Sequence, residues 1–270
     1  MKRLLVALDV DGTTVRHDGV TISPRVRAAV RSVHLAGHHV VLSTGRSPAS
    51  TLPVLAALGL AGGFAVCSNG AVALRLDVSV PDRYIVFSRA AFDPREALAA
   101  LARMWPGCAV AVEVPGARAF RVTASFPRGE STDEVLVVPW DQLGVHGASR
   151  LVVHATASPA EIATAVDALG LDCVEDTTGA TGVVEIGPRG VSKASALEAI
   201  RAALGVAATD TVAVGDHVND VSMLRWAARS IAMGHAPAVV RETADEVAPS
   251  CDDDGLAEVL ESLVATIGRK

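Results

Sequence analysis

Aromatic side chains are scarce: one Tyr, three Trp and five Phe make up 3% of the 270 residues. Ala, Val and Leu must therefore do most of the packing, and a hydrophobic fraction of 50% is ample for a substantial core. Cysteine is equally sparse. Cys67, Cys108, Cys173 and Cys251 form no C-x-x-C pair, and a chain of this size does not depend on disulfides. Reduced thiols and a cytoplasmic location are expected. No basic block stands out against a formal net charge of -6, which argues against nucleic acid as the main partner. An anionic ligand stays possible, because local charge in a pocket matters more than the net sum.

Long apolar runs are missing too. The run Leu4 to Leu8 behind Lys2 and Arg3 ends at Asp9, too short for the core of a signal peptide. Residues 47–74 carry no Asp, Glu, Lys or Arg, which invites a membrane reading. Pro48, Pro53, Gly59, Gly62, Gly63 and the Ser68-Asn69-Gly70 turn break this stretch into a helix, a turn and a buried strand. No membrane partner is expected. Internal repeats and low-complexity tracts are likewise absent.

What is present is an alternation of strand and helix signals. Leu4 to Leu8, His39 to Leu42 and Phe64 to Cys67 read as buried strands of a parallel sheet. Ser23-Pro24 opens a helix that Gly37 closes, and a second helix covers 48–58. The rhythm resumes after residue 187, with helices over 192–204, 219–228 and 254–266 and strands over 211–214 and 230–233. Residues 84–186 differ, with β-rich segments at 110–114, 119–123, 134–138, 150–154 and 183–186 and helical patterns at 94–104 and 159–169. The expectation is an α/β fold: a Rossmann-like parallel-sheet core, 1–83 with 187–270, carrying an inserted α+β cap domain, 84–186.

Open α/β sheets bind ligands beyond the carboxyl ends of their strands. Those ends here carry Asp9 and Asp11, Ser43 and Thr44, Ser68 and Asn69, and Asp216 with Asp220. Asp9 can attack phosphorus in line and form an acyl phosphate. Asp11 can donate a proton to the leaving oxygen and recover one from water. Gly12 lets the chain bend closely around a phosphate. Two like charges about 4 Å apart repel by about 4 kcal/mol at an effective dielectric of about 20. Four carboxylates in one pocket therefore need a cation, and with no Cys or His among them an all-oxygen site favours Mg²⁺ over zinc.

Asp9-Val10-Asp11-Gly12-Thr13, Ser43-Thr44-Gly45-Arg46, Lys193 and Gly215-Asp216-His217-Val218-Asn219-Asp220 resemble, in order and spacing, the four motifs of the haloacid dehalogenase-like (HAD) superfamily of phosphotransferases. Ser68-Asn69-Gly70-Ala71, Met223-Leu224, Ala232-Met233-Gly234 and Asp254-Gly255 are similar to the Cof-type, class IIB branch of sugar phosphatases, whose cap lies between the second and third motifs. The resemblance covers both flanks; the insert matches in position and size but carries no motif. It implies a Mg²⁺-dependent phosphatase with a phospho-aspartate at Asp9 and a small phosphorylated metabolite, of the sugar-phosphate kind, as substrate. Asp9, the Val10 carbonyl and Asp216 would ligate the metal, with Asp11 and Asp220 acting indirectly. Thr44 and Lys193 would hold phosphoryl oxygens, joined by Gly45, Arg46 and Asn219. A monomer or homodimer is expected.

Plainer readings stand beside these. Asp9 to Thr13 could be a strand-ending turn, and Ser43-Thr44-Gly45 a helix cap that also binds phosphate. A lysine early in a helix is commonly solvated, and Lys193 owes its assignment to chain order. Gly187 to Lys193 lacks P-loop spacing. His34, His38 and His39 are expected as surface or core histidines rather than a metal cluster, and Arg118, Arg121 and Arg150 as solvated charges. Two rival functions are a phosphomannomutase-like phosphotransferase and an aspartate-phosphorylated signalling module.

Overall fold

In the computed structural model, which describes residues 3–127, 133–175 and 183–267, every residue of the first strand, β1 (Leu5–Leu8), is buried. A run that is apolar on both faces belongs inside a parallel sheet covered by helices on each side. The chain continues through α1 (Pro24–Leu35), β2 (His39–Ser43), α2 (Pro48–Leu58), β3 (Gly63–Cys67), β4 (Val72–Leu76) and β5 (Tyr84–Arg89). Next come α3 (Arg95–Met104), β6 (Ala109–Glu113), β7 (Ala119–Val122), β8 (Glu134–Val137), α4 (Trp140–Leu143), β9 (Arg150–His154), α5 (Pro159–Asp167), β10 (Leu171–Glu175) and β11 (Val183–Pro188). The last section holds α6 (Lys193–Leu204), β12 (Thr211–Gly215), α7 (Val221–Trp226), β13 (Arg229–Met233), α8 (Ala238–Arg241), β14 (Glu246–Ala248) and α9 (Gly255–Ile267).

Local chemistry sets the helix boundaries. Ser23 caps α1 by accepting from the Val26 backbone, Pro24 fills its first position, and Gly37 follows at φ +87°. Its buried residues Val26, Ala29, Val30 and Val33 form one stripe at helical spacing. Ser192 caps α6 in the same way, accepting from Ser195, so Lys193 stands at the first turn of that helix.

An eight-stranded sheet runs in the order β14-β13-β12-β1-β2-β3-β4-β5. It is parallel from β14 to β3, and β4 and β5 add antiparallel pairs. Alternation along the strands sends Val6, Leu8, Val40 and Leu42 to the face covered by α1, α2 and α9, and Leu5, Ala7 and Val41 to the face covered by α6 and α7. The strand Tyr84–Arg89, read from sequence as part of the insert, pairs with β4, so the chain leaves this sheet only after Arg89.

A second, six-stranded sheet runs β10-β11-β9-β6-β7-β8. Helices α3 and α5 cover one face through Leu98, Leu101, Ile162 and Val166 against Val110, Val112, Leu151, Val153, Val184 and Ile186. Strand alternation then sends Glu113, Arg150 and Glu185 to the opposite face. Among the described residues no helix is long and apolar enough to cross a membrane. His38 is a core histidine: it is buried, its Nδ1 accepts from the Leu4 backbone at 3.1 Å, and its Nε2 has no partner among the described residues.

Candidate active site

Strands β1 and β12 are paired in parallel, so their carboxyl ends deliver Asp9 and Asp216 side by side. The Asp9 N–H still donates to the Val214 carbonyl at 3.0 Å, which anchors it to the sheet. Beyond it the chain turns sharply. The Val10 carbonyl accepts from Thr14 at 2.9 Å and Val15 at 2.7 Å, so its lone pairs are engaged within the turn. That corrects its expected place among metal ligands. Gly12 lies at φ +79°, and a Cβ there would stand 2.3 Å from Asp216 Oδ2. Only a glycine lets the turn approach that carboxylate so closely. Thr13 Oγ1 donates to Asp216 Oδ1 at 2.7 Å, a fixing contact not anticipated from sequence.

Lys193 completes the group from the start of α6. Its Nζ donates to Asp9 Oδ1 and to Asp220 Oδ1, each at 2.6 Å, and its side chain is fully buried. The solvated-lysine reading fails here: the head group cannot reach water and must be paired. Asp220 Oδ2 accepts from the backbones of Asp216 and His217, both at 3.0 Å, so both of its oxygens are engaged in holding the loop and the lysine.

Asp9, Asp216 and Asp220 are buried, and one oxygen of each lies within 4.8 Å of the others. Burial raises the Asp9 carboxyl well above the usual carboxylate range; the Asp220 charge adds to this, Lys193 offsets part, and Asp216 raises it further. Burial opposes the charge on Lys193, yet Asp220 and Asp9 outweigh it and raise its pKa. Fully ionised, the three carboxylates against the one ammonium carry a net formal charge of -2. A divalent cation would balance that charge and hold Asp9 in its ionised form, and the all-oxygen donor set suits Mg²⁺.

The remaining expected residues divide into two sets. Arg46 forms a two-pronged ion pair with Asp11, Nε to Oδ2 at 2.9 Å, at the mouth of the site. Asp11 is half exposed and stands outside the carboxylate trio. Thr44 is buried beyond β2, where its Oγ1 accepts from the Arg46 N–H at 3.0 Å. Gly45 sits against Asn69 and Asn219, and Asn219 Nδ2 donates to Asn69 Oδ1 at 3.0 Å. Asn219 Oδ1 is buried with no partner among the described residues.

The second sheet closes over this floor through Arg150 and two carboxylates, Glu113 and Glu185, that the sequence did not single out. Arg150 lies opposite Glu113 in the β6–β9 register, and its Nε donates to Glu113 at 2.7 Å. Its Nη1 donates to Glu185 and to the Gly45 carbonyl, both at 2.6 Å. Ser68 Oγ donates to Glu113 at 2.7 Å, and Asn69 Nδ2 to Glu185 at 2.6 Å. Arg150 is thus buried rather than solvated, whereas Arg118 is exposed beside Asp82. The available signal was a lone charge inside each apolar strand, Glu113 closing Ala109–Glu113 and Glu185 within Val183–Pro188.

A family model described as haloacid dehalogenase-like hydrolase matches residues 6–90 and 149–260. The chain is 24% identical over 265 residues to the 5-amino-6-(5-phospho-D-ribitylamino)uracil phosphatase of Bacillus subtilis, covering 95% of this chain and 94% of that one. It is 29% identical over 257 residues to a phosphoglycolate phosphatase of Natronomonas pharaonis, covering 95% and 96%. A solved HAD subclass IIB sugar phosphatase superposes with a TM-score of 0.79 at 20% identity, over 97% of this chain and 99% of that one. At that identity the likeness speaks for the fold: a parallel-sheet core bearing a subclass IIB cap. With the family match spanning both flanks of the second sheet, the chain belongs to the haloacid dehalogenase-like hydrolases, in their Cof-type branch.

Proposed function

We propose that this hydrolase is a Mg²⁺-dependent phosphatase that releases phosphate from small phosphorylated metabolites, sugar phosphates foremost, through a phospho-aspartate at Asp9. The observation that carries the reading is the Lys193 ammonium held between Asp9 and Asp220, with Asp216 alongside, at the carboxyl ends of β1 and β12. The relatives named above that act on phosphate monoesters support the same class of substrate.

Asp9 Oδ attacks phosphorus as the bond to the leaving oxygen breaks, and Asp11 supplies that oxygen with its proton. Water then gives its proton to Asp11 and attacks the same phosphorus, which frees phosphate and restores Asp9. Lys193 and the Thr44, Gly45 and Asn219 cradle hold the phosphoryl oxygens, and Arg46 keeps Asp11 in place. Asp9 and Asp216 would hold Mg²⁺, which supplies neutralisation of the phosphoryl charge, while Asp220 positions Lys193 and the Asp216 loop. The second sheet acts as a cap that excludes water and presents the Glu113, Arg150 and Glu185 face toward the leaving group. The cap is residues 90–186 in this proposal, since β5 belongs to the core sheet.

The test is phosphate release over a panel of phosphorylated metabolites, with Mg²⁺ and with EDTA. Release from several sugar phosphates that requires Mg²⁺ and disappears in Asp9→Asn is the expected result. Equal turnover by Asp9→Asn would refute the role of Asp9.

A further inference from the structure

Loops beyond the carboxyl ends of β1, β13 and β14 bring together His17, His235 and Cys251, three residues far apart in the chain. One ligand atom of each lies within 4.8 Å of the other two. The imidazoles of His17 and His235 pack edge to face with centroids 4.5 Å apart. The Cys251 N–H donates to His235 Nδ1 at 3.4 Å, and His235 Nε2 lies 3.4 Å from Asp216 Oδ2.

We propose that His17, His235 and Cys251 form a second metal site, separate from the carboxylate trio, that takes a borderline-soft divalent cation of the Zn²⁺ class. The donor set carries the inference. Two imidazoles and a thiol are the ligands zinc prefers, whereas Asp9, Asp216 and Asp220 offer only the hard oxygens that suit Mg²⁺. Zn–N near 2.0 Å and Zn–S near 2.3 Å put tetrahedral ligand atoms roughly 3.5 Å apart, so a trio whose atoms lie within 4.8 Å of one another needs to draw in by up to about 1.3 Å. His17 is exposed and can make that movement, while Cys251 is buried. The loops beneath them are tightly seated. A Cβ at Gly234 would stand 2.8 Å from the Ala248 carbonyl oxygen, and one at Gly255 only 2.1 Å from that of Pro249.

The contact with Asp216 fits the same picture. Coordination through His235 Nδ1 replaces the 3.4 Å hydrogen bond that this nitrogen accepts from the Cys251 N–H and leaves its Nε2–H to donate to the Asp216 carboxylate, the support that commonly stands behind a metal-bound histidine. On binding, the metal–sulfur bond forms as the thiol proton passes to solvent. The sequence reading, which found no Cys or His beside the carboxylates, missed this neighbour because the residues lie at positions 17, 235 and 251. The inference stands whatever the substrate of the hydrolase.

The test is a Co²⁺ titration of the full chain with Mg²⁺ in excess, followed by absorption. One equivalent should develop a thiolate-to-cobalt charge-transfer band, and one equivalent of Zn²⁺ should bleach it. Cys251→Ser should remove the band and Cys173→Ser should keep it. His17→Ala, at an exposed position that leaves the fold alone, should weaken binding roughly tenfold or more. The proposal is overturned by the absence of a band, by a band lost in Cys173→Ser, or by wild-type affinity in His17→Ala.

Discussion

The guanidinium of Arg150, carried by the six-stranded sheet, donates from Nη1 to the carbonyl oxygen of Gly45, carried by the eight-stranded one, at 2.6 Å. The same side chain pairs with both Glu113 and Glu185, so one residue ties the cap to the floor of the site. Burying three charges is tolerable only because each is paired and hydrogen-bonded.

Arg150→Met should therefore destabilise the protein by about 3–5 kcal/mol, the cost of leaving buried carboxylates unpaired. Adding Glu113→Gln and Glu185→Gln to that variant should recover most of the loss. Urea unfolding midpoints measure both effects, and an unaffected midpoint in the single variant would contradict the buried network.

Gly12 and Gly59 make a matched pair of controls. Both have positive φ, +79° and +73°, but a Cβ at Gly59 meets nothing within 4 Å whereas one at Gly12 collides with Asp216. Gly59→Ala should cost only the left-handed backbone penalty, about 1–2 kcal/mol, and leave turnover unchanged. Gly12→Ala should also lower turnover by about 100-fold, as displacement of a reacting group by an ångström does. Similar turnover in the two variants would remove the steric argument.

The carboxylate cluster makes a pH prediction. Burial, Asp220 and Asp216 raise the Asp9 carboxyl above its unfolded value against the pull of Lys193. A group raised in this way adds stability below about pH 4 and loses it as pH climbs through the folded value. In EDTA, wild type should thus lose stability relative to Asp9→Asn as pH rises through that range. Saturating Mg²⁺ should cancel the difference. Parallel pH profiles of the two proteins in EDTA would count against it.

Asp11→Asn separates the two chemical steps. It retains Asp9 as nucleophile but supplies no carboxylate to accept the proton of the attacking water. With an aryl phosphate, whose phenolate leaves without a proton, a burst of leaving-group release approaching one equivalent is expected, followed by slow turnover, with the acyl phosphate trapped by hydroxylamine. With an alkyl phosphate the first step slows as well. Steady release at the wild-type rate would mean that another group handles the proton.

Much of this site was legible because its signals are local. Asp9 and Asp11 end the apolar run of β1, Thr44 to Arg46 follow β2, and Asp216 with Asp220 follow β12, each placed by the burial of the strand before it. The helix cap Ser23-Pro24 was readable for the same reason, since a cap is a contact between residues three apart. The Val10 carbonyl was misassigned because its fate depends on how tightly the next turn closes, which the residue names do not state. Arg150 was misread as solvated because its burial depends on Glu113 lying opposite it in a register between distant strands.

The chain alone, then, determined to within a residue where β1, β2, β3 and β12 end and where α1 and α2 begin, because apolar periodicity and capping act within a few neighbours. Tertiary structure decided that Lys193 sits between Asp9 and Asp220, that β5 extends the core sheet, and that His17, His235 and Cys251 meet beside Asp216. Those outcomes belong to sheet order and loop packing, where segments more than two hundred residues apart along the chain come within a few ångströms.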